Sequence, residues 1–196
     1  MKNLLIVVFT FAFFVNTEAQ VEKGSFMVGG SMSLRRNALS FKDKSLSAHP
    51  TASFEVSPTV GYFLIKRLML GAEVSLNRQW TLNDENVRSL SYGVGPLVRY
   101  YFPLGKFAFF PEVGYSFNRQ KGHDYLTVSD FSMTPYSYNY TYNRYHVAIG
   151  ATWFATPNVG IEGKFLYSLT DYGSQTTGSG LILQFGIQFY IPKKVN

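Results

Sequence analysis

The sequence contains no cysteine, which excludes disulfides, thiolate nucleophiles, thiolate-bound metals and a lipidated cysteine behind the amino-terminal region. Charge is also scarce. Asp, Glu, Lys and Arg make up 15% of the chain, against roughly 25% in an average soluble domain, so something other than water is expected to cover part of the surface. After residue 20 no apolar run is long enough for a membrane-crossing helix, which needs about 20 residues. Any membrane span of the mature chain is therefore expected to be built from strands. Apolar residues are nonetheless abundant at 46%, with 14 Tyr and 18 Phe, and the question is how they are arranged.

The first residues read as a secretory signal. Met1, Lys2 and Asn3 give a short basic start, Leu4 to Val15 is apolar apart from Thr10, and Thr17, Glu18 and Ala19 put small residues where a signal peptidase reads. A signal peptide over 1–19, with cleavage after Ala19, leaves residues 20–196 as one domain. Its loss removes Lys2 and Glu18 and leaves the net charge at +6. On an exported chain that excess suits anionic lipid better than nucleic acid, because the basic residues are scattered and not clustered.

Beyond the signal, eight segments place apolar side chains on every second residue, the period of a strand. The second sets Phe54, Val56, Val60, Tyr62 and Leu64 against Ser53, Glu55, Ser57 and Thr59; the third sets Leu70, Ala72, Val74 and Leu76 against Gly71, Glu73 and Ser75. The same alternation marks the other six, which begin near Phe26, Leu90, Phe107, Tyr145, Val159 and Leu181. Each row is about nine to eleven residues long, as a tilted strand crossing a bilayer requires, and an even count lets an antiparallel sheet close without a lipid-exposed edge. The reading is an all-β fold: a closed, eight-stranded, antiparallel, up-and-down transmembrane β-barrel. Short connections at Ile65 to Arg67, Pro103 to Lys106 and Ala155 to Asn158 alternate with long ones near 35–50, 82–88, 119–142 and 170–179, so the short turns and both chain ends are expected on the periplasmic side.

Period 2 alone leaves a soluble ligand-binding barrel open. The other face decides, because Glu55, Glu73, Arg99, Glu112, Glu162 and Lys164 stand there among Gly and Ser, a composition for a narrow lumen and a poor one for a solvated exterior. Aromatics near the strand ends suggest two interfacial girdles: Tyr62, Tyr100, Tyr101, Phe102, Phe107 and Trp153 at the turn side, Trp80, Tyr92, Phe117 and Tyr145 at the loop side.

Three stretches carry a likeness: Val60-Gly61-Tyr62-Phe63-Leu64 leading into Leu70-Gly71-Ala72-Glu73, then Gly95-Pro96-Leu97-Val98-Arg99-Tyr100-Tyr101-Phe102, then Pro111-Glu112-Val113-Gly114-Tyr115. With these the mature chain resembles the eight-stranded outer-membrane β-barrel family, the OmpA/OmpX-like group. The resemblance implies residence in the outer membrane of a Gram-negative cell, delivery by periplasmic chaperones and the barrel-assembly machinery, and a monomer. It also implies an assembly signal in the last strand, at Phe189 or Tyr190, although here the chain runs on to Asn196.

Charge at bilayer depth must be paired or hydrated. Glu55, Glu73, Glu112 and Glu162 are expected to meet Arg99, Arg144, Lys164 and His146 in a network that plugs the lumen. The function expected is structural or surface-interacting, with a narrow porin-like channel for small solutes as the alternative. A lipid-modifying enzyme is a weaker third: of His49, His123 and His146 only the last sits on a strand, facing inward, and no Gly-x-Ser-x-Gly context occurs. No enzyme activity, cofactor or metal is expected. Arg35, Arg36, Lys42, Lys44, Arg78, Arg119 and Lys121 lie toward the outer ends and are candidates for contact with lipopolysaccharide phosphates. Tyr125, Tyr136, Tyr138, Tyr140 and Tyr142 have the composition of an adhesive surface, but their alternation fits a hairpin continued beyond the membrane, which is the reading preferred.

Overall fold

The computed structural model describes residues 21–37, 50–81, 84–129, 132–173 and 177–193. Its strands are β1 (Phe26–Asn37), β2 (Thr51–Ile65), β3 (Leu68–Thr81), β4 (Asp84–Tyr100), β5 (Phe102–Leu104), β6 (Phe107–Ser129), β7 (Ser132–Thr156), β8 (Val159–Asp171) and β9 (Thr177–Ile191). β5 only continues β4 past Tyr101, so nine strands form eight staves. Every neighbouring pair is antiparallel, β1 pairs with β9, and β4 pairs with β6, which joins the two ends of the sheet into a ring. No sheet edge is left to face lipid at that seam.

The alternation works as the sequence implies, with water-soluble logic inverted. Ile149 is 67% and Leu181 68% exposed on the outer wall, whereas Arg99 and Lys164 are 1% exposed inside. An apolar exterior is stable only in lipid, and the polar interior fixes the register, because a slip of one residue would turn a whole row of charges outward.

Two expectations are corrected. The connection expected at 82–88 is mostly strand, since β4 already begins at Asp84, whereas the hairpin preferred for 119–142 is present, with β6 running to Ser129 and β7 starting at Ser132. Above the membrane both faces of a hairpin meet water, so the apolar alternation fades while backbone pairing persists. Tyr101, expected in the turn-side girdle, is fully buried inside the barrel. The chain breaks between β4 and β5 at that residue, whose N–H donates to the Arg67 carbonyl at 2.9 Å.

The turn-side mouth is sealed. Met27, Phe63, Met69, Leu97, Tyr101, Phe110, Phe154 and Tyr190 form a buried apolar cluster there, and Val21 packs into it from below. The segment before β1 is strapped across this end: Gly24 N–H donates to Phe63 O at 2.9 Å and Arg67 N–H to Val21 O at 2.8 Å. Gly24 holds φ +90°, a left-handed conformation that glycine adopts without strain. The signal sequence, His49, Lys42 and Lys44 lie outside the described residues.

Candidate functional site

All eight side chains expected in the lumen meet there, in a definite order. Starting nearest the long loops, Arg35 Nη2 lies 3.6 Å from Glu55 Oε2, and Glu55 Oε1 accepts from Arg144 Nη1 at 2.9 Å. Arg144 Nη2 is 4.0 Å from Glu73 Oε1, whose second oxygen is 3.7 Å from Lys164 Nζ. Lys164 Nζ donates to Glu112 Oε1 at 2.8 Å; Arg99 grips Glu112 Oε2 through Nε and Nη2, and donates through Nη1 to Glu162 Oε2 at 2.6 Å. The result is an alternating chain of four cations and four carboxylates down the axis. Balanced alternation lets each charge inside the chain face opposite charge on both sides and each end face it on one, which offsets the desolvation that a lone one would suffer.

The last cation is fastened to the apolar cluster. Arg99 Nη1 donates to the Tyr101 hydroxyl at 2.9 Å, and its guanidinium lies 4.1 Å from the centre of the Phe110 ring, a cation–π contact in a desolvated setting. Tyr190 Oη donates to Tyr101 Oη at 3.3 Å, and Phe154 leans on Tyr190 with ring centres 5.2 Å apart. His146 stands beside the chain with Nε2 3.4 Å from Glu112 Oε1, too poorly aligned for a hydrogen bond. Opposite it, Gly114 is required for space, since a Cβ there would overlap the imidazole. Gly150 makes the same room for Phe110 and Lys164. A lumen of eight staves is narrow enough that large side chains fit only against glycine.

Above the charges the lumen widens into a polar vestibule of about 200 Å³ lined by Ser53, Asn77, Gln79, Ser91, Gln120, Tyr142, Ser168, Thr170 and Tyr172, with Arg35 and Arg144 at its base. The lipid-facing set divides. Arg35 departs from it: its strand position points inward, where it joins Glu55. Arg36, Arg78, Arg119 and Lys121 face outward, and Arg78, Leu90 and Lys121 share one rung across β3, β4 and β6. Arg88, which the sequence reading did not single out, and His123, which it expected off the strands but which lies on β6, stand on the adjoining rung. Arg78, Arg88, Lys121 and His123 line an outward groove of about 570 Å³, next to a second of about 600 Å³ walled by Leu34, Phe54 and Trp80. Phe189 faces outward and Tyr190 is buried in the cluster.

The inward apolar residues were also missed, and a signal for them existed. Met27, Phe63, Met69, Leu97, Phe110 and Phe154 each break the polar row near a short turn, so the inner face changes character along the axis.

A family model described as outer membrane protein beta-barrel domain matches residues 5–192. Neisserial surface protein A shares 16% identity over 85% of this chain and 97% of its own, with a TM-score of 0.57. The outer membrane protein OprG from Pseudomonas aeruginosa shares 9% identity over 88% and 98%, with a TM-score of 0.53. For the N-terminal β-barrel domain of Pseudomonas aeruginosa OprF the values are 14%, 86%, 98% and 0.50. No curated protein matches the chain in sequence. At these identities the likeness to solved structures is one of fold, whereas the family model spans nearly the whole chain: the protein belongs to the outer membrane protein beta-barrel domain family and resides in the bacterial outer membrane.

Proposed function

We propose that this protein is a non-conducting, non-enzymatic outer-membrane barrel whose working surface is its long-loop end, with a structural or surface-interaction role. The observation that carries the reading is the unbroken ion-pair chain from Arg35 to Glu162, which ends on the aromatic cluster around Tyr101. Each of its charges has a partner of opposite sign, so ion entry must break pairs at low dielectric, and below them the path meets packed rings. The outward cations Arg36, Arg78, Arg88, Arg119 and Lys121 sit above an apolar belt, as phosphate ligands for outer-leaflet lipopolysaccharide. Removal of residues 1–19 and use of Phe189 or Tyr190 as the assembly signal belong to the same proposal, as does a monomeric state.

Planar-bilayer conductance of the refolded protein tests it. Silence under applied voltage is expected in the native chain. Steady, ion-selective openings would replace the plug with a narrow solute channel.

A further inference from the structure

The row of β7 side chains that enters the lumen as Arg144 and His146 continues upward, beyond the barrel wall, as Tyr142, Tyr140, Tyr138 and Tyr136. Their rings touch in sequence, with centres 6.1 Å apart for Tyr136 and Tyr138, 5.7 Å for Tyr138 and Tyr140, and 6.2 Å for Tyr140 and Tyr142. Tyr172 at the end of β8 joins from the side, 5.4 Å from Tyr142 and 5.9 Å from Tyr140. Gly122 on β6 lies opposite Tyr138, and a Cβ there would overlap the ring, so glycine lets the tyrosine lie against the neighbouring strand. The lowest two rings, Tyr142 and Tyr172, are walls of the vestibule. One surface therefore runs from the upper hairpin to the charged base of the lumen.

The vestibule is built for hydrogen bonding to neutral groups. Its lining carries hydroxyls and amides, Ser53, Ser91, Ser168, Thr170, Asn77, Gln79 and Gln120, each able both to donate and to accept, with Ile182 as an apolar wall. At its base the Arg144 side chain is 9% exposed, and its Nε, like the Nε of Arg35, is buried with no hydrogen-bond partner among the described residues. A buried unpaired guanidinium N–H is costly, and a turn of either side chain toward an acceptor oxygen in the vestibule would satisfy it.

From this placement we propose that the tyrosine row and the vestibule form one binding site for a linear oligosaccharide, whose chain stacks along Tyr136 to Tyr142 and whose terminal sugar enters the vestibule. A pyranose has an apolar C–H face and a rim of hydroxyls, which matches aromatic faces flanked by phenol, hydroxyl and amide groups. The regular spacing of the rings suits a repeating ligand, and tyrosines supply contact area at small cost in side-chain entropy. An extended peptide would instead bind along a free strand edge by main-chain hydrogen bonds, and would leave both the ring row and the vestibule unused. The inference deepens the surface-interaction reading by naming its partner class, and its readout is independent of conductance.

Isothermal calorimetry on the refolded full barrel in phosphatidylcholine vesicles tests it, with linear α-1,4- and β-1,4-glucose oligomers and chitin oligomers as probes. Saturable binding that strengthens with chain length is expected for at least one series. Tyr138→Ala and Tyr140→Ala should each weaken it about tenfold, the order of one aromatic contact, and Thr170→Val should weaken it without altering the length dependence. Retained heat-modifiable migration in electrophoresis shows that each variant is folded. Absence of binding by all three series, or binding that both tyrosine variants leave unchanged, overturns the proposal. Binding of extended peptides that main-chain N-methylation abolishes would replace it with strand addition. Channel openings in native protein that still binds sugar would sink the plug and leave this site standing.

Discussion

The two halves of the lumen are walled by the same staves and obey the same alternation, yet they are filled by opposite chemistry. The turn-side half is tightly packed: Arg99 meets Glu112, Glu162, Tyr101 and Phe110. The loop-side half keeps a cavity of about 200 Å³, neutral hydrogen-bonding walls and unpartnered guanidinium nitrogens. A barrel wall needs only period 2, so each half of its interior is free to be specified separately. Here the half near the assembly end is packed for closure, and the half near the cell exterior is left able to take a ligand.

The largest expected contrast is between two arginines. Arg99→Met leaves Glu112 and Glu162 buried without their main cation and should destabilise the barrel by about 3–5 kcal/mol. Arg35→Gln, at the 31% exposed end of the same chain, should lose about 1 kcal/mol or less. Urea unfolding from lipid vesicles measures both, and equal losses would mean that the two halves are not energetically distinct. Next, Phe110→Ala should lose about 3 kcal/mol or more by opening a cavity beneath Arg99. Its counterpart Thr170→Val, on the vestibule wall, should stay within about 0.5 kcal/mol. A smaller effect sharpens the outer surface. Arg78→Gln with Lys121→Gln should leave unfolding in neutral phosphatidylcholine unchanged, but should lose about 1 kcal/mol per cation of the extra stability conferred by lipopolysaccharide. Equal stability in the two lipids would remove the phosphate role.

The smallest concerns pH. Burial, reinforced by the hydroxyls of Tyr172, Tyr138 and Tyr142, pushes the Tyr140 phenol up to about 12. The unfolded phenol then releases its proton before the folded one does. Hairpin stability is therefore unaffected below the ordinary phenol range and falls as pH rises through it toward about 12. Phenolate absorbance should show late-titrating tyrosines whose number Tyr140→Phe lowers by one, and a late fraction that Tyr140→Phe leaves unchanged would deny the close ring row.

Much of this was legible because a membrane barrel writes its fold locally. Val113, Tyr115 and Phe117 against Glu112, Gly114 and Ser116 already state which face meets lipid, and the set of buried charges followed from that phase alone. What escaped the reading was change along the axis. Tyr100 and Tyr101 are adjacent aromatics of opposite parity, and Tyr101 follows Arg99 into the lumen while Tyr100 stays in the outer row. Arg35 and Arg36 likewise differ only in parity, and the phase of β1 sends the first to Glu55. The upper hairpin was legible as continued strand from its alternation of tyrosine with polar residues, but that pattern does not say which rings meet.

By itself the sequence determined the strand period, the number of staves, the short and long ends, and the separation of apolar from charged faces, because each is a local property of consecutive residues. Only the tertiary structure decided which carboxylate meets which cation, how the turn-side mouth is closed, and that four tyrosines of β7 and one just past β8 make one surface. Those depend on the order and register in which distant strands are brought side by side, and on how much space a ring of eight staves leaves between them.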